Sequence, residues 1–188
     1  MIRGLFFDLD GTLVDTHRAN YEAYKHALGL EGFKIDFDQF KQTIGMHAGQ
    51  FLPLLAPGLS VKGFDRVTQN KAAKYREIGH TTTLNTNLRS FIEKMKPRMK
   101  IALVTTAKRV NAEAILQYHD LTELFDTVIT ADDVKVSKPD PEAYVLALDK
   151  TKLHSYEVIA FEDSETGRKA AESAGIAVVV VKDFHDVT

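Results

Sequence analysis

Leu5-Phe6-Phe7-Asp8-Leu9-Asp10-Gly11-Thr12 is the stretch from which the fold can be read. An apolar run stops abruptly at two carboxylates spaced two apart, and a glycine follows where the chain must turn. Such a run, with no polar alternation, predicts a strand covered on both faces. Two carboxylates leaving a buried strand side by side repel one another unless a cation neutralises them. The stretch therefore suggests a Mg2+ site with a nucleophile in it, provided the remaining parts of such a site lie downstream.

The first strand spans Ile2 to Asp8, and four further apolar runs repeat its pattern: Ile101–Thr105, Thr127–Thr130, Glu157–Phe161 and Ile176–Val181. Helical stretches separate the later runs. Leu88 to Met95 precedes the second strand, and Lys108 to His119 follows it with Val110, Ala114 and Tyr118 spaced four apart. Asp140-Pro141-Glu142 opens another helix, with Asp as N-cap and Pro as first helical residue. Ser164 can cap a further helix that stops near Gly175. Strand and helix in alternation predict an α/β fold, a doubly wound, parallel, five-stranded Rossmann-like core with right-handed crossovers.

Residues 16–83 break that rhythm and predict an inserted all-helical domain, with the core made of residues 1–15 and 84–188. Tyr21, Tyr24 and Leu28 share a helical face, and Gly29 follows as a stop. Asp36 and Gln39 have the spacing of a capping box. Phe64, Val67, Lys71, Tyr75 and Ile78 form one stripe of a long helix, and Pro53, Pro57 and Gly58 mark a turn.

Composition narrows the class. Hydrophobic residues are 44% and charged residues 27% of the 188, the profile of a soluble globular protein. With 24 Lys and Arg against 26 Asp and Glu, the formal charge of −2 favours neither nucleic acid nor an acidic membrane surface. The absence of cysteine excludes disulfides, thiolate nucleophiles and Cys-ligated zinc. No signal-peptide pattern precedes the first strand, and no apolar run approaches the roughly 18 residues of a membrane span. These features lead to the expectation of a cytoplasmic protein; a monomer or weak homodimer is expected alongside.

In an open parallel sheet, ligands bind outside the carboxyl ends of the strands. The first strand ends in Asp8 and Asp10, the second in Thr105 with Thr106 next, and the fourth in Glu162 and Asp163. Val136-Ser137-Lys138-Pro139 follows the third. Four acids, a hydroxyl and a cation at strand ends are what phosphoryl transfer needs: a nucleophile, a divalent metal and donors for the equatorial oxygens.

With these residues the chain resembles the haloacid dehalogenase-like hydrolase superfamily, within it the phosphoglycolate phosphatase and β-phosphoglucomutase-like group. Four motifs match in order: D-L-D-G-T at Asp8 to Thr12, the strand-end Thr105, Lys138 in S-K-P-D-P-E, and E-D-S-E-T-G at Glu162 to Gly167. The resemblance implies a helical cap over residues 16–83. It implies Asp8 as nucleophile, and a carboxylate of ordinary pKa, about 4, is already ionised at neutral pH. It implies Asp10 as general acid and then base, with its backbone carbonyl on Mg2+. Asp8 and Asp163 are the implied carboxylate ligands, and Glu162 acts directly or through water. Thr105 and the N–H groups of Leu9 and Thr106 would bind phosphoryl oxygens. Lys138 would hold both Asp8 and the phosphoryl group.

Asp10 selects the reaction, since the true dehalogenases and phosphonatases lack an aspartate at that spacing. The expectation is a Mg2+-dependent phosphatase acting on a small phosphorylated metabolite. The mutases carry a cap histidine where this chain has Asn20, and an arginine near Gly45, where this chain reads Met46-His47-Ala48-Gly49. Lys71 and Tyr75 fit a K-x-x-x-Y pattern of these caps, so Lys71 either contacts substrate or is a solvated helix lysine. Ser137 replaces the glycine usual before the lysine, and the family's closing elements after the fifth strand are expected to be short. Two other classes use related parts. A receiver-type signalling module places its acceptor after a later strand and has no helical insertion. A non-catalytic phosphate-binding member would not need the full set of acids.

Overall fold

The computed structural model describes residues 1–44, 46 and 48–181. In chain order the elements are β1 (Gly4–Phe7), β2 (Val14–Asp15), α1 (His17–Gly29), α2 (Phe37–Lys41), α3 (Ala48–Leu55), α4 (Val61–Ile78), β3 (Thr83–Leu84) and α5 (Thr86–Met95). Then follow β4 (Lys100–Val104), α6 (Arg109–Tyr118), β5 (Thr127–Ile129), α7 (Glu142–Thr151), β6 (Val158–Glu162), α8 (Glu165–Ser173) and β7 (Ala177–Val180). The chain forms two compact units, residues 1–15 with 83–188 and residues 16–82.

The larger unit is a five-stranded parallel sheet in the order β5-β4-β1-β6-β7, flanked by helices. β1 is central, and its Leu5, Phe6 and Phe7 are buried on both faces, which is why the run carries no polar alternation. One face of the sheet packs Phe6, Ala102, Val104 and Ala160 against Tyr144 and Ala147 of α7 and Ala170 and Ala171 of α8. Elsewhere in this unit Phe7 stacks on Phe161 with ring centroids 4.6 Å apart, and Phe91 of α5 leans on Phe161. The unit of residues 16–82 has its own core of Tyr21, Leu28, Phe40, Phe51, Leu52 and Val67. Asp36 and Gln39 form the expected reciprocal capping box at α2, and Ser60 caps α4 through the Gly63 N–H.

The structure departs from the sequence reading in five places. Among the described residues β7 has one neighbour, β6, and its Val179 and Val180 are 44% and 42% exposed, so its apolar run is not covered on both faces. On α6 the buried stripe is Ala112, Ile115 and Leu116; Val110 and Tyr118 are exposed. That stripe follows the i, i+3, i+4 rule better than the spacing of four that singled out Val110. Pro53 lies inside α3 rather than in a turn, where the buried Phe51 and Leu52 hold the helix despite the missing N–H. α7 begins at Glu142 with Pro141, not Asp140, at the N-cap position; Asp140 lies one residue earlier and accepts the Glu142 N–H at 2.9 Å. Finally, β2 and β3 pair antiparallel, Val14 with Leu84 and Asp15 with Thr83, where no strand was expected. Gly45 and His47, used in the comparison with mutases, lie outside the described residues.

Candidate active site

The sheet register gathers the strand-end residues. Phe7 is level with Leu103 on one side and with Phe161 on the other. Asp8 therefore leaves β1 beside Val104 and Glu162, and its N–H still donates to the Phe161 carbonyl at 3.0 Å. The chain then turns on Gly11, at φ +89°, a value that favours glycine. The turn closes through the Leu13 and Val14 N–H groups on the Leu9 carbonyl at 3.0 and 2.9 Å. Among the described residues the N–H groups of Leu9 and Thr106 make no backbone hydrogen bond, so both remain available as donors.

Lys138 is the hub. Its ammonium donates to Asp8 Oδ1 at 2.8 Å, Glu162 Oε1 at 2.5 Å and the Val104 carbonyl at 2.8 Å. An ammonium has three N–H donors, and all three are used. Its grip on Asp8 is thus direct, and contact with a phosphoryl oxygen requires sharing one of these bonds. Thr105 accepts the Ala107 N–H at 3.0 Å and makes a long hydroxyl contact of 3.5 Å to Asp10 Oδ2. Thr12, fully buried, makes a similar 3.5 Å contact to Asp163 Oδ1. Lys71 belongs to the other unit. It is buried rather than solvated, with its ammonium 4.0 Å from the Tyr75 ring centroid and 5.2 Å from that of Tyr24.

Burial dominates the electrostatics. It pushes Asp8 up to about 8; Lys138 pulls it down, and Glu162 and Asp10 add to the rise. Burial thus works against the ordinary carboxylate pKa expected of Asp8, and positive charge beside it restores the anion. Burial also raises Glu162, again against Lys138. For Lys138 burial works downward, but the two carboxylates outweigh it and hold the ammonium charged.

A divalent cation fits this environment. Oxygens of Asp8, Glu162 and Asp163 lie within 4.8 Å of one another, a donor set of hard carboxylates. Glu162 Oε2 is buried with no hydrogen-bond partner, an acceptor that a cation would satisfy. Gly167 makes room for the Glu162 carboxylate itself, because a Cβ there would fall inside it.

Three contributors escaped the sequence reading. The Val104 carbonyl is invisible in sequence because any residue supplies one. Gly167 was read as part of a motif, without the steric reason that only glycine fits against Glu162. Tyr144, fully buried on α7, donates its hydroxyl to Glu162 Oε1. It sits in a helix where an aromatic reads as core, and only the register of α7 against β6 reveals the partner.

Comparison with known proteins places this geometry among its relatives. The model of the haloacid dehalogenase-like hydrolase family matches residues 5–181. A phosphorylated carbohydrates phosphatase of Thermotoga maritima is 33% identical over 98% of this chain and 88% of its own. A fructose-1-phosphate phosphatase of Escherichia coli is 27% identical over 95% of this chain and 96% of its own. The crystal structure of a β-phosphoglucomutase from Clostridium difficile shares the fold, with a TM-score of 0.85 at 24% identity over 98% of this chain and 86% of that one.

Proposed function

The chain belongs to the haloacid dehalogenase-like hydrolase family, and from that membership we propose that it is a Mg2+-dependent phosphatase of a small phosphorylated carbohydrate, acting through an aspartyl-phosphate at Asp8. The observation that carries this reading is the Lys138–Asp8 pair set beside the carboxylate cluster of Asp8, Glu162 and Asp163.

Asp8 and Asp163 would hold the metal through carboxylate oxygens, Asp10 through its backbone carbonyl, and Glu162 directly or through water. Bound there, Mg2+ supplies the positive charge that lets an anionic nucleophile approach an anionic phosphate. Asp8 Oδ attacks phosphorus while the bond to the leaving oxygen breaks, and the Asp10 carboxyl gives that oxygen its proton. Asp10, now a carboxylate, takes a proton from water. The water oxygen attacks phosphorus, the bond to Asp8 breaks, and phosphate leaves. Leu9 and Thr106 supply N–H donors to the equatorial oxygens, with Thr105 beside them. Residues 16–83 are assigned as the cap that selects the substrate, with Lys71 as its substrate contact. The phosphatase reading is favoured over a mutase by Asn20. Its amide donates to Thr16 Oγ1 at 3.1 Å and cannot exchange a proton with a sugar hydroxyl as an imidazole can.

The test is phosphate release from a panel of sugar phosphates with Mg2+ and with EDTA. Release that EDTA abolishes is expected. An isomerised sugar phosphate without inorganic phosphate would establish a mutase instead.

Metal binding should also release protons. Because burial pushes Asp8 up to about 8, the metal-free fold holds a proton at this site below that pH. Coordination requires the anion, so Mg2+ affinity rises from pH 6 towards 8, with about one proton released per ion near the low end. Calorimetry in buffers of different ionisation enthalpy measures this, and affinity that does not change with pH would contradict it.

A further inference from the structure

Tyr144 has no part in the steps above, yet it touches two of the groups that make them possible. Its hydroxyl donates to Glu162 Oε1, the same oxygen that receives Lys138. Its ring lies 5.3 Å from the Lys138 ammonium, within cation–π range. The residue is fully buried, so neither contact competes with water.

The consequence for Glu162 is an asymmetry. Oε1 carries two protein donors and Oε2 carries none. The terminal torsion of a glutamate is broad and roughly two-fold, so a carboxylate held at one oxygen by a single flexible lysine can present either oxygen. A second donor, rigidly placed on α7, removes that choice. The same contact keeps Lys138 from being drawn wholly towards Glu162 and away from Asp8. We propose that Tyr144 is a positioning residue that fixes the Glu162 carboxylate through Oε1 in the orientation it presents to the Asp8, Glu162 and Asp163 cluster, and holds Lys138 on Asp8. This rests on the metal reading given under Proposed function.

The test uses Mg2+ alone, titrated calorimetrically into the metal-free full chain without substrate, beside thermal unfolding. Y144F keeps the ring and loses the hydroxyl; it is expected to weaken Mg2+ binding about tenfold, the order expected for an outer-shell partner. Y144L also loses the ring. It should melt well below Y144F yet bind Mg2+ within about threefold of it, since both lack the same hydroxyl. Wild-type affinity in Y144F overturns the inference, as does affinity that falls in step with melting temperature across the two variants, which marks a purely structural tyrosine. Absence of Mg2+ binding by the wild type overturns the metal reading and this inference with it, so the two failures are distinguishable.

Discussion

Asp8→Asn is expected to lower phosphate release by about four orders of magnitude or more, the scale seen when a nucleophile is removed from an intact site. The amide has nearly the shape of the carboxylate, so β1 and the turn on Gly11 are undisturbed. Its nitrogen and oxygen are too weakly nucleophilic to form the covalent intermediate. Lys138 keeps two of its three partners, Glu162 Oε1 and the Val104 carbonyl. The variant should therefore fold, and its melting temperature separates loss of chemistry from loss of structure. Asp10→Asn gives the contrasting result. Asp8 remains able to attack a substrate with a good leaving group, so label from such a phosphate ester accumulates on the protein while turnover falls, because no base activates water. Measurable turnover by the Asp8 variant, at even a hundredth of the wild type, would remove Asp8 from the nucleophile's role.

The strand ends were legible for a physical reason. A carboxylate that closes a continuous apolar run is out of place unless something neutralises it, and the sequence shows this at Asp8 and at Glu162 without any coordinates. Periodicity likewise exposed the five parallel strands, because burial on both faces demands continuous apolar runs. It said less about β7, whose valines fit a central strand equally well but stay partly exposed. The β2–β3 pair has two residues per strand, too few to carry any period. Tyr144 was hidden by its own packing. Its ring is a core residue by every sequence measure, and its chemistry resides in one hydroxyl that meets Glu162 from an element 18 residues away along the chain. The burial that pushes Asp8 upward was hidden for a related reason, since desolvation depends on what surrounds a group in space and not on its neighbours in the chain.

Lys138→Met tests both the stability and the chemistry of the site. The stem is retained in length and the charge removed, leaving Asp8 and Glu162 as buried carboxylates without their common cation. Breaking a buried ion pair from one side costs about 3–5 kcal/mol, because the remaining charge is neither solvated nor paired. That is a large part of the 5–15 kcal/mol typical of a folded domain, so a fall in melting temperature of several degrees or more is expected. The sign of its pH dependence follows from the carboxylates. Lys138 lowers the pKa of both Asp8 and Glu162 against burial, so without it both rise further above their unfolded values. The folded state then binds more protons than the unfolded state, and stability falls as pH rises. Below the wild-type values both proteins hold the same protons, so the deficit is smallest in acid and grows as pH rises through them, for Asp8 only above about 8. Mg2+ should restore part of it, since the cation replaces the missing positive charge beside the same oxygens. Turnover is expected to fall by about three orders of magnitude, as the nucleophile loses the donor that orients it and the site loses a charge that stabilises the transferring group. A Lys138→Met protein that melts with the wild type at pH 9, above the value of about 8 for wild-type Asp8, would mean that the two carboxylates gain nothing from the ammonium, and Lys138 would then lose its place as the hub of the site.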